Sequence, residues 1–259
     1  MVQPPTVKSD DVVYLTRMVQ PPTVKSDDVV YLTARQTLSA RLPVAWEWLR
    51  DGKGSQRLYL TRPLEPVNRW LRRFVTNGGL FRDKMREHDC VLAGTAVLSY
   101  VHPEDLPQSP TLQIYTPRGK CDVILRELQD EHGAVIDKEI TPASDGLDRV
   151  VALHTATAQL EVLESSMLSA LWPLAFAPST VLHNYISADL LVVGYPWLTL
   201  HGTGVSTGHA NAEAVDRLRA MKIPHEDHPS KFEFVAEHTN GCLAPHYLCL
   251  CAPRFFGDN

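Results

Sequence analysis

The run CVLAGTAVLSYV, residues 90–101, is almost wholly apolar yet is broken in its middle by Gly94-Thr95. Such a break predicts a short strand, Cys90–Ala93, followed by a helix from about Ala96 to Val101. The same alternation continues downstream. A Pro-rich loop, HPEDLPQSP, leads to a strand, TLQIYTP (111–117), then a helix, CDVILRELQDEHG (121–133), and a strand, AVIDKEI (134–140). Two further strand-like runs follow, RVVALHT (149–155) and QLEVLES (159–165), joined by a short turn. Interleaved strands and helices point to an α/β (α+β) fold, a mixed β-sheet flanked by helices.

The flanking segments extend this pattern. Residues 37–50, TLSARLPVAWEWLR, and 64–75, LEPVNRWLRRFV, carry Trp46, Leu49, Trp70, Leu71 and Phe74 at helix-like intervals. Trp46 and Trp48 read as core or docking residues, and Arg69, Arg72 and Arg73 as a solvated cluster near a helix end. LFRDKMREHD (80–89), SMLSALWPLAF (166–176) and ANAEAVDRLRAMK (210–222) read as helices, and LLVVGYPWLTL (190–200) as a buried strand region.

At the N-terminus, MVQPPTVKSDDVVYLT occupies residues 1–16 and recurs unchanged at 18–33, with Arg17 between the copies. Each VVYLT is strand-like and able to pair with its twin. The absence of divergence reads as a recent duplication or an artefact, with the first copy dispensable. The expected organisation is a flexible duplicated segment, 1–36, and an α/β domain, 37–259, with a Cys/His-containing tail.

Composition excludes some roles. Lys and Arg total 25 against 30 Asp and Glu, a formal charge of −5, so general nucleic-acid binding is not expected. No run approaches the ~20 apolar residues of a membrane span, and the five cysteines are odd in number and irregular in spacing. The expectation is an intracellular protein, cytoplasmic or nuclear, with reduced thiols and no membrane association.

On a TLQIY strand, Thr111 and Gln113 project to one face and Leu112 and Ile114 to the other. Acids at those two positions would clamp divalent metals against a nucleoside triphosphate, and the Gly94-Thr95 turn would supply backbone donors to phosphate. With this arrangement the chain resembles the nucleotidyltransferase-fold superfamily, whose motif is Gly and a small hydroxyl residue, a helix, an acid-apolar-acid strand and a later acid on a neighbouring strand. More narrowly, it is similar to a fungal group of that superfamily, often found in mushroom-forming fungi. The narrower match rests on LAGTAVLSYV with LQIYTP, LEVLESS followed by PLAFAPSTVLHNYIS, GYPWLTL and CAPRFFGD, over about residues 67–257.

The resemblance implies nucleotide-binding roles for Gly94, Thr95, Thr111 and Gln113 and a catalytic acid at Glu161. The two strand acids are replaced by Thr111 and Gln113, and one carboxylate is a poor substitute for three in holding Mg²⁺. Glu104, Asp105 and Asp122 are acidic neighbours without the alternating strand geometry.

Elsewhere, His238, Cys242, His246, Cys249 and Cys251 supply enough soft ligands for a structural zinc, in an unusual spacing. HGTGVSTG (201–208) misses the dinucleotide fingerprint by one residue and reads as a flexible loop. HEDH (225–228) reads as exposed loop histidines. The expected function is a catalytically degenerate domain that binds a nucleotide or a protein partner. The alternatives are an active metal-dependent nucleotidyltransferase using Glu161 and a borrowed acid, with Mg as cofactor, and a zinc-stabilised interaction protein.

Overall fold

The computed structural model describes residues 30–33, 58–61, 64–102, 111–142, 145–195, 198–199, 202–207, 209–210, 212–227 and 231. Among them, nine strands form one mixed sheet: β1 (Val30–Thr33), β2 (Leu58–Thr61), β3 (Val91–Ala93), β4 (Thr111–Thr116), β5 (Val135–Ile140), β6 (Leu147–His154), β7 (Gln159–Ser165), β8 (Asn184–Ile186) and β9 (Leu190–Val193). Their spatial order is β1, β2, β9, β8, β3, β4, β7, β6, β5. The pairs β1/β2 and β4/β7 are parallel, and the remaining neighbours are antiparallel. The second repeat copy supplies β1, which lies alongside Leu58–Thr61.

Helices α1 (Leu64–Leu71), α2 (Gly78–Glu87), α3 (Thr95–Val101) and α4 (Cys121–His132) all feed one core with the sheet. Period-two alternation explains why: along β4, Leu112 and Ile114 are fully buried, while Thr111, Gln113 and Tyr115 are half-buried on the opposite face. Leu92, Leu160, Val162, Val151 and Leu153 continue the buried face across β3, β7 and β6. Against them pack Trp70, Leu71, Phe81, Met85, Val97, Ile124 and Leu128 from the helices. Trp70 lies 5.2 Å from Phe74 and 5.1 Å from Tyr100, ring centre to ring centre, so this tryptophan is a core residue.

Local chemistry sets the helix ends. Asn77 caps α2 by accepting from the Gly79 and Leu80 amides, each at 3.1 Å. Gly133 closes α4 at φ 63°, a left-handed conformation that favours glycine, and its amide donates to Gln129. Arg82, 4% exposed, ties α2 to two other elements: Nε donates to the Ala188 carbonyl at 2.9 Å and Nη1 to Asn68 Oδ1 at 2.9 Å.

A smaller core joins α3 to the C-terminal part through Leu98, Val181, Leu218 and Ile223. There β10 (Gly204–Val205) and β11 (His225–Glu226) form a two-stranded parallel sheet, with α5 (Ala212–Ala220) between them in the chain. Among the described residues no helix is long and apolar enough to cross a membrane.

Three segments differ from expectation. Within 166–176, only Trp172–Phe176 is helical, as a 3-10 turn. Ser165 and Ser169 hydroxyls accept the Met167 and Leu171 amides, and these local bonds compete with an α-helical ladder. In 190–200 the strand stops at Val193, and the Thr199 amide donates back to the Tyr195 carbonyl at 2.8 Å, a helical turn. The glycine-rich segment contributes the buried β10 rather than a loop alone. Helix 37–50 and the pairing of the two VVYLT copies lie outside the described residues.

Candidate functional site at the centre of the sheet

Strand β4 runs between β3 and β7, and its register places Ala93, Gln113 and Glu161 side by side. Directly opposed residues share a face, so these three stand on the face away from the helical core, with Ala152 of β6 next in the row. Gln113 Nε2 donates to Glu161 Oε2 at 2.8 Å. Thr111, two residues earlier on the same face, donates to Gln159 Oε1 at 3.3 Å. Four of the residues singled out from sequence, Gly94, Thr111, Gln113 and Glu161, therefore lie together at one end of the parallel pair.

Gly94 links β3 to α3 at φ 77°, where a side chain is strained whatever the space around it. A Cβ there would stand 1.9 Å from Gln113 Oε1. The glycine is thus required twice, by its backbone and by the glutamine amide laid over it. The Gly94 carbonyl accepts the Leu98 amide at 3.2 Å and the Thr95 carbonyl accepts the Ser99 hydroxyl at 3.0 Å, which fixes the first turn of α3.

Tyr115 follows on the same face, and burial, with the Glu161 charge second, raises its phenol well above the ordinary range. The row continues toward β5 with polar groups: His154, opposite Gln159, bonds Asp137 Oδ1 through Nδ1 at 2.6 Å. Sequence reasoning missed this pair because a strand irregularity at Asp137 brings it within reach.

Neighbouring acids are committed elsewhere. Asp122 accepts from Arg149 Nη1 at 2.6 Å, and Glu164 accepts the Gly119 amide at 2.6 Å. Glu104 and Asp105 lie outside the described residues, as do His238, Cys242, His246, Cys249 and Cys251 of the tail. Among the described residues, no group of three or more His, Cys, Asp or Glu side chains is placed to hold a metal ion. Cys90 and Cys121 are free and buried, and burial pushes both thiols up to about 12.

A second polar cluster lies around β8 and the C-terminal part. His225 is 6% exposed, not an exposed loop residue, and its Nε2 meets Ser179 Oγ at 3.0 Å. Ser179 is itself fully buried, so the pair is a satisfied core contact. Asn184 donates to the Val181 carbonyl at 2.7 Å and accepts from the Gly194 amide at 3.2 Å and the Thr199 hydroxyl at 3.4 Å. His183 stacks edge-on to Tyr195 at 5.3 Å. These contacts give the segments LHNYIS and GYPWLTL a shared packing role: the first supplies polar anchors for the second.

Neither protein-family models nor curated proteins nor solved structures give a match to this chain.

Proposed function

We propose that this chain is a catalytically degenerate, nucleotidyltransferase-like domain that works by binding, with a nucleotide or a protein as its ligand, and transfers no nucleotidyl group. The observation that carries the reading is the Gln113–Glu161 bond over Gly94. Two-metal phosphoryl chemistry requires several anionic oxygens converging on one point. Here a neutral amide fills that position and occupies an oxygen of Glu161, while the other strand position is a threonine bonded to Gln159. The arrangement can donate and accept hydrogen bonds, which suits recognition, but it lacks the charge that would draw and dehydrate Mg²⁺.

The test is incubation with labelled ATP, CTP, GTP and UTP and Mg²⁺ or Mn²⁺, comparing the protein with Glu161→Ala. No transfer by either is the expected result; transfer that disappears in the variant overturns the reading. Calorimetric titration of the same nucleotides without metal then separates a nucleotide ligand from a protein one.

A further inference from the structure

Strand β5 ends the nine-stranded sheet, and all six of its residues are exposed. Three are β-branched and apolar: Val135 is 55% exposed, Ile136 42% and Ile140 37%. A strand at a sheet edge presents unpaired amides and carbonyls, a template for another strand. Its sequence, VIDKEI, specifies which strand that would be.

Two copies laid antiparallel about a two-fold axis between Asp137 and Lys138 oppose each Asp137 to the other copy's Lys138. Val135 then lies opposite Ile140, and Ile136 opposite Glu139. Registers centred on Asp137 or on Lys138 instead set like charges against each other, which is unfavourable.

In a regular strand the favoured register is impossible, because opposed residues must share a face while adjacent ones alternate. The irregularity in β5 removes that conflict. Ile136 pairs with Leu153 and Lys138 with Ala152, consecutive residues of β6, so Asp137 is an inserted residue. Its carboxylate reaches His154, which stands opposite Val135, and so shares the Val135 face. Lys138 belongs to the row of Ala152, Glu161 and Gln113 on that same face. Val135, Asp137, Lys138 and Ile140 therefore face one way, and Ile136 and Glu139 the other. Every pair in the two-fold register joins residues of a common face.

We infer that the chain forms a two-fold dimer by pairing β5 with β5 of a second copy, continuing the sheet across the axis. The inserted Asp137 makes the strand self-complementary in charge and in face. Dimer contacts would then lie on the same sheet as the Gln113–Glu161 site, separated from it by β6.

Sedimentation velocity of the full chain across the micromolar range tests this. Wild type is expected to show a monomer–dimer equilibrium. Lys138→Glu, which opposes acid to acid at two symmetric contacts, should weaken it by about tenfold. The exchange Asp137→Lys with Lys138→Asp restores opposite charges and should restore the dimer. Unchanged thermal melting of the variants at high dilution shows that the fold survives. A chain that stays monomeric throughout, a dimer indifferent to Lys138→Glu, or an exchange variant that does not re-associate overturns the proposal.

Discussion

Gly94 holds the smallest side chain at the most crowded point of the site. Replacing it by alanine imposes a side chain at φ 77° and forces Gln113 to swing away, breaking its bond to Glu161. The expected loss is about 1–3 kcal/mol, read by denaturant unfolding. Adding Gln113→Ala to Gly94→Ala should recover the steric part but not the backbone part; full recovery, or none, would show that the two residues are not coupled in this way. Charge is the other residue-level property open to experiment. Thr111→Asp combined with Gln113→Asp would place acids on the two alternate strand positions beside Glu161. The double variant should bind Mn²⁺ in calorimetry where wild type shows no heat. If it does not, the face is not shaped as a metal clamp.

At the scale of elements, α4 ends in a buried imidazole. His132 is 5% exposed, packs edge-on against Phe81 of α2 at 5.7 Å, and neither ring nitrogen has a hydrogen-bond partner among the described residues. Burial lowers its pKa, partly offset by Glu127 and Glu131. His225 is lowered as well, first by burial and then by Arg219. In the unfolded chain both imidazoles take up protons near their ordinary value of about 6.5. The unfolded state therefore binds more protons below that pH, and stability falls as pH drops from there toward the lowered folded values, then levels off. His132→Leu should be neutral or stabilising at pH 7.5 and should shrink the drop in melting temperature between pH 7.5 and 5.5. A drop of unchanged size in the variant would remove His132 as a contributor.

Element types were legible where period and punctuation agreed. The Gly94-Thr95 break, the alternation in TLQIYT and the Gly133 stop are each written in adjacent residues, and the structure has a strand, helix or turn at each. Residues 166–176 misled because apolar composition resembles a helix, whereas side-chain hydroxyls and Pro173 had already claimed the backbone. The alignment of Gln113 with Glu161 follows from parallel pairing across 48 positions, which no local pattern states. The Asp137–His154 contact was less legible still, since it depends on one inserted residue in a strand.

At the scale of the whole molecule, one core holds the sheet against four helices and a smaller one fastens the C-terminal part to α3. Arg82 reinforces the larger core by bridging α1, α2 and the turn after β8, so the helical layer and the sheet are joined by polar as well as apolar contacts. The sheet's two outer strands differ in origin: β5 comes from the heart of the sequence, whereas β1 comes from the second repeat copy. Removing residues 1–17 leaves that copy whole and should leave the melting temperature unchanged. A fall would assign the first copy a role of its own.

The parallel seat beside β2 has a consequence for the statistics of the folded state. Val30–Thr33 fills it, yet Val13–Thr16 has the same four residues after the same twelve. Two segments of one chain thus hold interchangeable keys to one lock, and local sequence offers no preference between them; only the length of the intervening tether does. Val30–Thr33 is the occupant in the structure, and a variant marked in a single copy, such as Tyr14→Trp or Tyr31→Trp, tests by fluorescence whether the first copy competes for the seat; a response confined to Tyr31→Trp assigns it to the second copy alone.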